Sequence, residues 1–168
     1  AATRAGGTTT LSSGTLKLGV GKGLNTKNAA LNFNGGTLQL APTADIATTF
    51  TATDITVGGN ATIVSDRGTT TGAGITNTVG TLSIGANTLN ITAGANVTSG
   101  TAGVTFGATT LSASGAVFDV GASTLGTLGA LAGNFNFTKQ GAGELALNSA
   151  SLRSSGSATV SSGTLTLG

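Results

Sequence analysis

Five carboxylates, Asp45, Asp54, Asp66, Asp119 and Glu144, are the groups best suited to acid–base chemistry in this 168-residue chain. Cleavage of a glycosidic bond needs two carboxylates facing each other across a cleft. These five show no paired motif, so each reads as an isolated surface or turn residue. Histidine, cysteine, methionine, tryptophan and tyrosine are absent. The chain therefore has no imidazole base, no thiolate, no disulfide and no usual transition-metal ligand. Neither a D-x-D spacing nor the G-G-x-G-x-D repeat of calcium-binding β-rolls occurs. Gly19-Val-Gly-Lys-Gly23 has the glycines of a phosphate cradle, but a cradle needs a helix after it and none is expected. The sequence thus predicts no catalytic, cofactor-binding or metal-binding residues, and a protein that is not an enzyme.

The elements that would carry any site are short strands. Charged residues make up 7% of the chain, against roughly 25% in an ordinary domain. Neutral Thr, Ser and Asn must then cover the surface, and Thr suits a pleated sheet. At 38% hydrophobic the chain is too apolar for a disordered linker. Apolar residues alternate with polar ones: Leu145 and Leu147 point one way with Glu144 and Ala146 the other, and Leu165 and Leu167 repeat this with Thr164 and Thr166. Glycines punctuate the runs. Seven scattered basic residues make no nucleic-acid footprint. No apolar run approaches the roughly 20 residues of a membrane helix. AATRAGG at the N-terminus has no hydrophobic signal region, so the chain is expected to be a mature or excised piece.

Internal repetition sets the fold. Gly14-Thr-Leu-Lys-Leu18, Gly36-Thr-Leu-Gln-Leu40 and Gly80-Thr-Leu-Ser-Ile84 have glycines 22 and then 44 residues apart. This reads as one period and then two, with Gly58–Val64 as a degenerate copy between them. A period near 22 with three short strands per turn predicts a right-handed parallel β-helix, a β-solenoid of seven to eight turns over a single domain, 1–168. Its inner columns are expected to include Leu16, Leu18, Leu38, Leu40, Leu82, Ile84, Leu145, Leu147, Leu165 and Leu167. A β-sandwich of antiparallel hairpins is the alternative. Pro42 fits the end of a strand. The six phenylalanines either stack inside or fill a wider corner. Residues 41–74, the least repetitive stretch, read as a wider loop or lateral excursion, with Asp66-Arg67-Gly68 as an exposed turn carrying an ion pair.

Two motifs carry a family resemblance. Lys139, Gly141, Ala142, Gly143, Leu145 and Leu147, followed by Gly163, Thr164, Leu165, Leu167 and Gly168, form K-x-G-A-G-x-L-x-L and then G-T-L-x-L-G. This resembles the passenger-associated repeat of autotransporter proteins, and the likeness covers 116–168 and 4–19. It implies a non-catalytic, structural or adhesive segment of a bacterial cell-surface or secreted protein, such as a fibre or stalk. Surface glycans or other cells are the further partners expected of such a segment, and the competing class is a polysaccharide-binding or polysaccharide-cleaving β-helix.

Residues Arg4–Gly19 align without a gap on Arg153–Gly168, 149 residues on, with ten of sixteen positions identical. Matching ends without capping elements lead to the expectation that the chain meets itself, by end-to-end stacking or tandem repetition. An ice-binding solenoid is a lesser alternative, suggested by the pairs Thr8/Thr10, Thr51/Thr53, Thr76/Thr78 and Thr164/Thr166. Sequons at Asn60, Asn90, Asn96 and Asn136 are expected by chance in so Thr-rich a chain. Asn ladders at turns are the better reading, with Asn34-Gly35 the best site for a left-handed residue.

Overall fold

The computed structural model describes residues 7–19, 29–50, 53–148 and 154–168. Arg4, Arg153, Thr51 and most of 19–23 lie outside them. The chain winds as successive turns of strand, and no helix occurs among the described residues. The first turn carries β1 (Thr9–Leu11) and β2 (Thr15–Leu18), and the second β3 (Ala29–Phe33) and β4 (Thr37–Leu40). The third has β5 (Thr53–Val57), β6 (Ala61–Ser65), β7 (Gly72–Ala73) and β8 (Thr76–Thr78). The fourth has β9 (Leu82–Ile84), β10 (Thr88–Ala93), β11 (Val97–Ser99) and β12 (Ala102–Thr105). The fifth has β13 (Thr109–Leu111), β14 (Ala116–Val120) and β15 (Thr124–Leu128). The sixth has β16 (Leu131–Ala132), β17 (Phe137–Gln140) and β18 (Glu144–Leu147), before a last rung of β19 (Ala158–Val160) and β20 (Thr164–Leu167).

These strands form three faces and a lateral ribbon. Face one is β1-β3-β5-β9-β13-β16, face two β2-β4-β6-β10-β14-β17-β19 and face three β8-β12-β15-β18-β20, while β7 pairs with β11 outside them. Every ladder is parallel, as stacked turns of a solenoid require and a sandwich of hairpins does not. Six steps separate the seven strands of face two, so the solenoid has about six turns rather than seven to eight. The shortfall has a plain cause: the register steps are 22 residues between Leu16 and Leu38 but 28 between Ile63 and Ile91 and 29 between Ile91 and Val120.

Alternation places the core as expected, with one displacement. Leu38, Leu40, Leu82, Ile84 and Leu145 are fully buried, Leu18 and Leu147 nearly so, and Leu16 and Leu165 pack partly buried against them. Each buried Leu or Ile contributes about 1.5–3 kcal/mol relative to exposure. Leu167 stacks on Leu147 but is 72% exposed, since no described rung covers it. On face two one column runs Leu16, Leu38, Ile63, Ile91, Val120. The degenerate copy at Gly58–Val64 supplies β6, the neighbour of β4. Leu82 and Ile84, however, stack on Ile55 and Val57 of face one, so the third G-T-L copy is not two turns above the second on the same face. Five phenylalanines, Phe33, Phe50, Phe106, Phe118 and Phe137, are buried, and Phe135 is half-exposed. Phe118 and Phe137 meet edge to face at 5.8 Å, a favoured aromatic geometry. Pro42 follows β4 as expected.

Several corners between faces carry a left-handed residue, as at Gly14, Gly36, Gly115, Gly141 and Gly163. Gly36 takes φ 76°, and a Cβ there would lie 2.6 Å from Gly14 O of the rung below, so both the dihedral and the stacking select glycine. The left-handed position at the corner after β3 is thus Gly36 and not Asn34. Across that corner Asn34 N–H donates to Leu11 O at 2.9 Å and Thr37 N–H to Gly14 O at 2.8 Å.

Candidate functional surfaces

Each of the five acids is engaged with a neighbouring turn. Asp54 Oδ1 accepts from Thr81 N–H at 2.8 Å and Thr81 Oγ1 at 2.9 Å. Asp119 Oδ2 accepts from Gln140 Nε2 at 3.1 Å, and Glu144 Oε1 from Thr166 Oγ1 at 2.6 Å. These carboxylates sit on different faces and corners, and no group of three potential metal ligands gathers among the described residues. The asparagines behave alike. Asn60 Oδ1 accepts from Thr88 N–H at 2.8 Å and Asn136 Oδ1 from Ser157 N–H at 2.8 Å. Asn90 Nδ2 donates to Ala61 O at 3.2 Å and Asn96 Nδ2 to Arg67 O at 2.9 Å. All four sequon amides therefore bridge adjacent turns through backbone groups and not through a second asparagine, so they form no ladder of stacked Asn, and Asn90 lies within β10 and not at a turn.

The stretch 41–74 does make a lateral excursion, and its polar groups are organised more tightly than an exposed turn. Asp66 is buried: its Oδ1 accepts from Arg67 N–H at 2.8 Å and Asn96 N–H at 3.0 Å, and its Oδ2 from Gln39 Nε2 at 2.9 Å. Arg67 turns to other partners, donating to Thr70 O at 3.0 Å, Ala73 O at 3.1 Å and Thr70 Oγ1 at 3.2 Å. The expected exposed ion pair is thus replaced by a buried carboxylate held by uncharged donors and a guanidinium that braces its own loop. Burying a carboxylate costs energy unless donors replace water, and here they do.

Asp45 holds the outer side of the same loop. Its Oδ1 accepts from Gly68 N–H at 2.6 Å and Thr69 N–H at 3.0 Å. Its Oδ2 accepts from Thr70 N–H at 2.9 Å and from the hydroxyls of Thr69 and Thr70 at 2.6 and 2.7 Å. These bonds, led by the Thr69 hydroxyl, hold the carboxyl far below the usual carboxylate range. Beneath the loop Asn77, fully buried, donates to Ser65 Oγ at 3.1 Å and Leu40 O at 3.4 Å and accepts from Thr48 N–H at 3.3 Å.

Lys139 occupies a position the sequence offered only as part of a motif. It lies inside, in the column between Phe118 and Val160, fully buried. Its Nζ donates to Gln140 O at 2.6 Å, Gly141 O at 2.8 Å and Ser162 O of the next rung at 3.2 Å. Burial lowers its pKa from the usual lysine value, opposed by the Asp119 charge. The signal was present, because alternation from Phe137 assigns Lys139 to the same side. At the corner between faces two and three, Thr101, Ser123, Leu125, Gly143, Glu144 and Thr164 line an open depression of about 350 Å³. The threonine pairs form no continuous array: Thr53 points into the core, and the outward row of Thr76 continues as Gly103, Leu125 and Glu144 before reaching Thr164. Comparison with protein-family models, with curated proteins and with solved structures gave no match.

Proposed function

We propose that this chain is a structural, non-catalytic segment of an extracellular bacterial fibre, stalk or adhesin, built like the autotransporter passengers that its G-A-G-x-L-x-L and G-T-L-x-L-G motifs resemble. The observation that supports this reading most is the employment of the polar residues. Carboxylates and asparagine amides that could serve a substrate instead bond one turn to the next, around a largely apolar interior. A second reading, a glycan-binding solenoid, draws on the depression beside Glu144. The test is incubation of the chain, and of a variant with all five acids changed to amides, with a panel of bacterial and plant polysaccharides. The structural reading expects no new reducing ends and no retention on immobilised glycan from either protein. Cleavage or retention that disappears in the amide variant overturns it in favour of the second reading.

A further inference from the structure

The loop after β6 holds a carboxylate that belongs to another part of the chain. The backbone N–H groups of Gly68, Thr69 and Thr70 and the hydroxyls of Thr69 and Thr70 all donate to the Asp45 carboxylate, at 2.6–3.0 Å. Successive N–H groups that converge in this way form a concave anion site. The loop is shaped by bonds that do not involve Asp45. Arg67 donates to Thr70 O, Ala73 O and Thr70 Oγ1, Arg67 N–H donates to Asp66 Oδ1, and Asn96 Nδ2 donates to Arg67 O. Gly72 N–H then joins β7 to β11 through Asn96 O at 2.9 Å. The Arg67 guanidinium lies one hydroxyl away from the carboxylate, through Thr70 Oγ1. Its own partners are carbonyl and hydroxyl oxygens, so its charge favours an anion in the site. Asp66, the neighbouring acid, faces inward with its oxygens held by Arg67 N–H, Asn96 N–H and Gln39 Nε2.

Asp45 reaches this site from an exposed strap. Ala41, Pro42 and Phe50 are buried at its ends, whereas Thr43, Ala44, Ile46 and Ala47 are exposed, Ile46 at 61%. Asp45 itself has φ 53°, a left-handed conformation that a side chain disfavours. Among the described residues, the hydrogen bonds that join 43–47 to 67–73 all end on its carboxylate. We infer that Gly68-Thr69-Thr70 is a binding site for a peptide carboxylate and that Asp45 is its resident ligand, which an acidic segment of a partner protein displaces. The seated group is an aspartyl side chain, and the donors divide to suit it. Oδ1 takes two N–H groups, and Oδ2 takes one N–H and two hydroxyls. When the strap lifts, those donors and the Arg67 charge stay in place and attract another anion. As an internal ligand Asp45 competes at an effective concentration in the millimolar range. The native chain therefore binds the partner about tenfold less tightly, or weaker still, than a chain without Asp45. The inference goes beyond the structural reading above and does not depend on it.

The test titrates isotope-labelled Asp45→Ala with sodium formate, with sodium chloride as control, and follows the amide resonances of Gly68, Thr69 and Thr70. These amides are expected to shift saturably with formate and not with chloride. A capped oligo-aspartate peptide shifts the same amides, and its oligo-asparagine counterpart does not. Thr69→Val in the same background weakens both ligands about tenfold, because a hydroxyl donor to a charged group is lost while the amide stays. In the native chain oligo-aspartate moves the same amides only at about tenfold higher concentration or above, and the Asp45 and Ile46 amides move with them as the strap leaves. Formate that leaves the loop amides of Asp45→Ala unmoved overturns the site. Loss of those amides to rapid exchange, with no recovery on adding formate, shows that the loop is not preformed and overturns it as well. A response to oligogalacturonate without one to oligo-aspartate overturns the peptide ligand in favour of an acidic polysaccharide. A native chain that binds oligo-aspartate as tightly as the variant overturns Asp45 as the competitor, and one that never responds overturns the exchange.

Discussion

The turns from β12 onward and the turns through β6 and β10 solve the same stacking problem with different interiors. On face three the register steps after Ala102 are 22, 19 and 20 residues, and the inward groups Leu145 and Leu165 are aliphatic. The middle turns take 27 to 29 residues and carry Asn77, Ser65 and Asp66 beneath a ribbon of β7 and β11. Yet the column Leu38, Ile63, Ile91, Val120 passes through them unbroken. Extra residues are absorbed at the corner between faces two and three, and buried hydrogen bonds there replace the apolar contacts of a tight corner. Stacking fixes the faces, while corner length is free wherever the backbone groups it exposes find partners.

The strongest test of this contrast is Leu145→Ala in the compact turns. Removal of a fully buried leucine is expected to lower the unfolding free energy by about 2–5 kcal/mol, read by urea denaturation. Asn77→Ala in the wide turns is expected to cost about 1–3 kcal/mol, because Ser65 and Thr48 N–H lose a buried partner. A loss for Asn77→Ala below about 0.5 kcal/mol would remove the claim that its network replaces apolar packing.

Glycine substitutions sharpen the comparison between stacking and local conformation. Gly14 and Gly36 have φ 75° and 76°, but a Cβ at Gly14 meets nothing within 4 Å while one at Gly36 meets Gly14 O at 2.6 Å. Gly14→Ala is expected to cost about 1 kcal/mol from backbone strain alone, and Gly36→Ala clearly more. Equal losses would show that these corners are not in contact.

The outer clasp of the wide region has a pH signature. Because the Asp45 pKa is lowered in the folded chain, its stabilisation is fully present above the unfolded value of 3.8 and is lost as pH falls through the folded value. The gap in denaturation midpoint between the native chain and Asp45→Asn should therefore stay constant above about pH 5 and narrow below pH 4. A gap unchanged down to pH 2 would show that the charge of Asp45 contributes nothing.

Legibility in the sequence followed what is local. Alternation about Leu38, Leu82 and Leu145 assigned inside and outside, because the side-chain period of a strand is set within the strand. Which face a strand joins was not legible, since it depends on the summed length of every preceding corner. Gly80 lies 44 residues after Gly36, which equals two short turns, but the intervening turn is long and Leu82 arrives on face one. The burial of Asp66 was hidden for the same reason. Its partners Gln39 and Asn96 lie 27 and 30 residues away, and only the wound chain brings them together. Lys139 was hidden differently: its inward parity was readable, but three acceptors for its ammonium exist only once Ser162 of the next rung is in place.

The short register step also bears on how the chain reaches this structure. Each ladder joins residues only 19 to 29 positions apart, so every rung closes a loop of similar size onto one already formed. The entropy of closing a loop grows with the logarithm of its length, and here that length is set by the circumference of the coil and not by the size of the protein. Parallel sheets ordinarily fold slowly because their strands are distant in sequence. In this arrangement the search for each successive strand is equally short, and a chain of many more turns would meet the same barrier at every step, its folding time growing by addition.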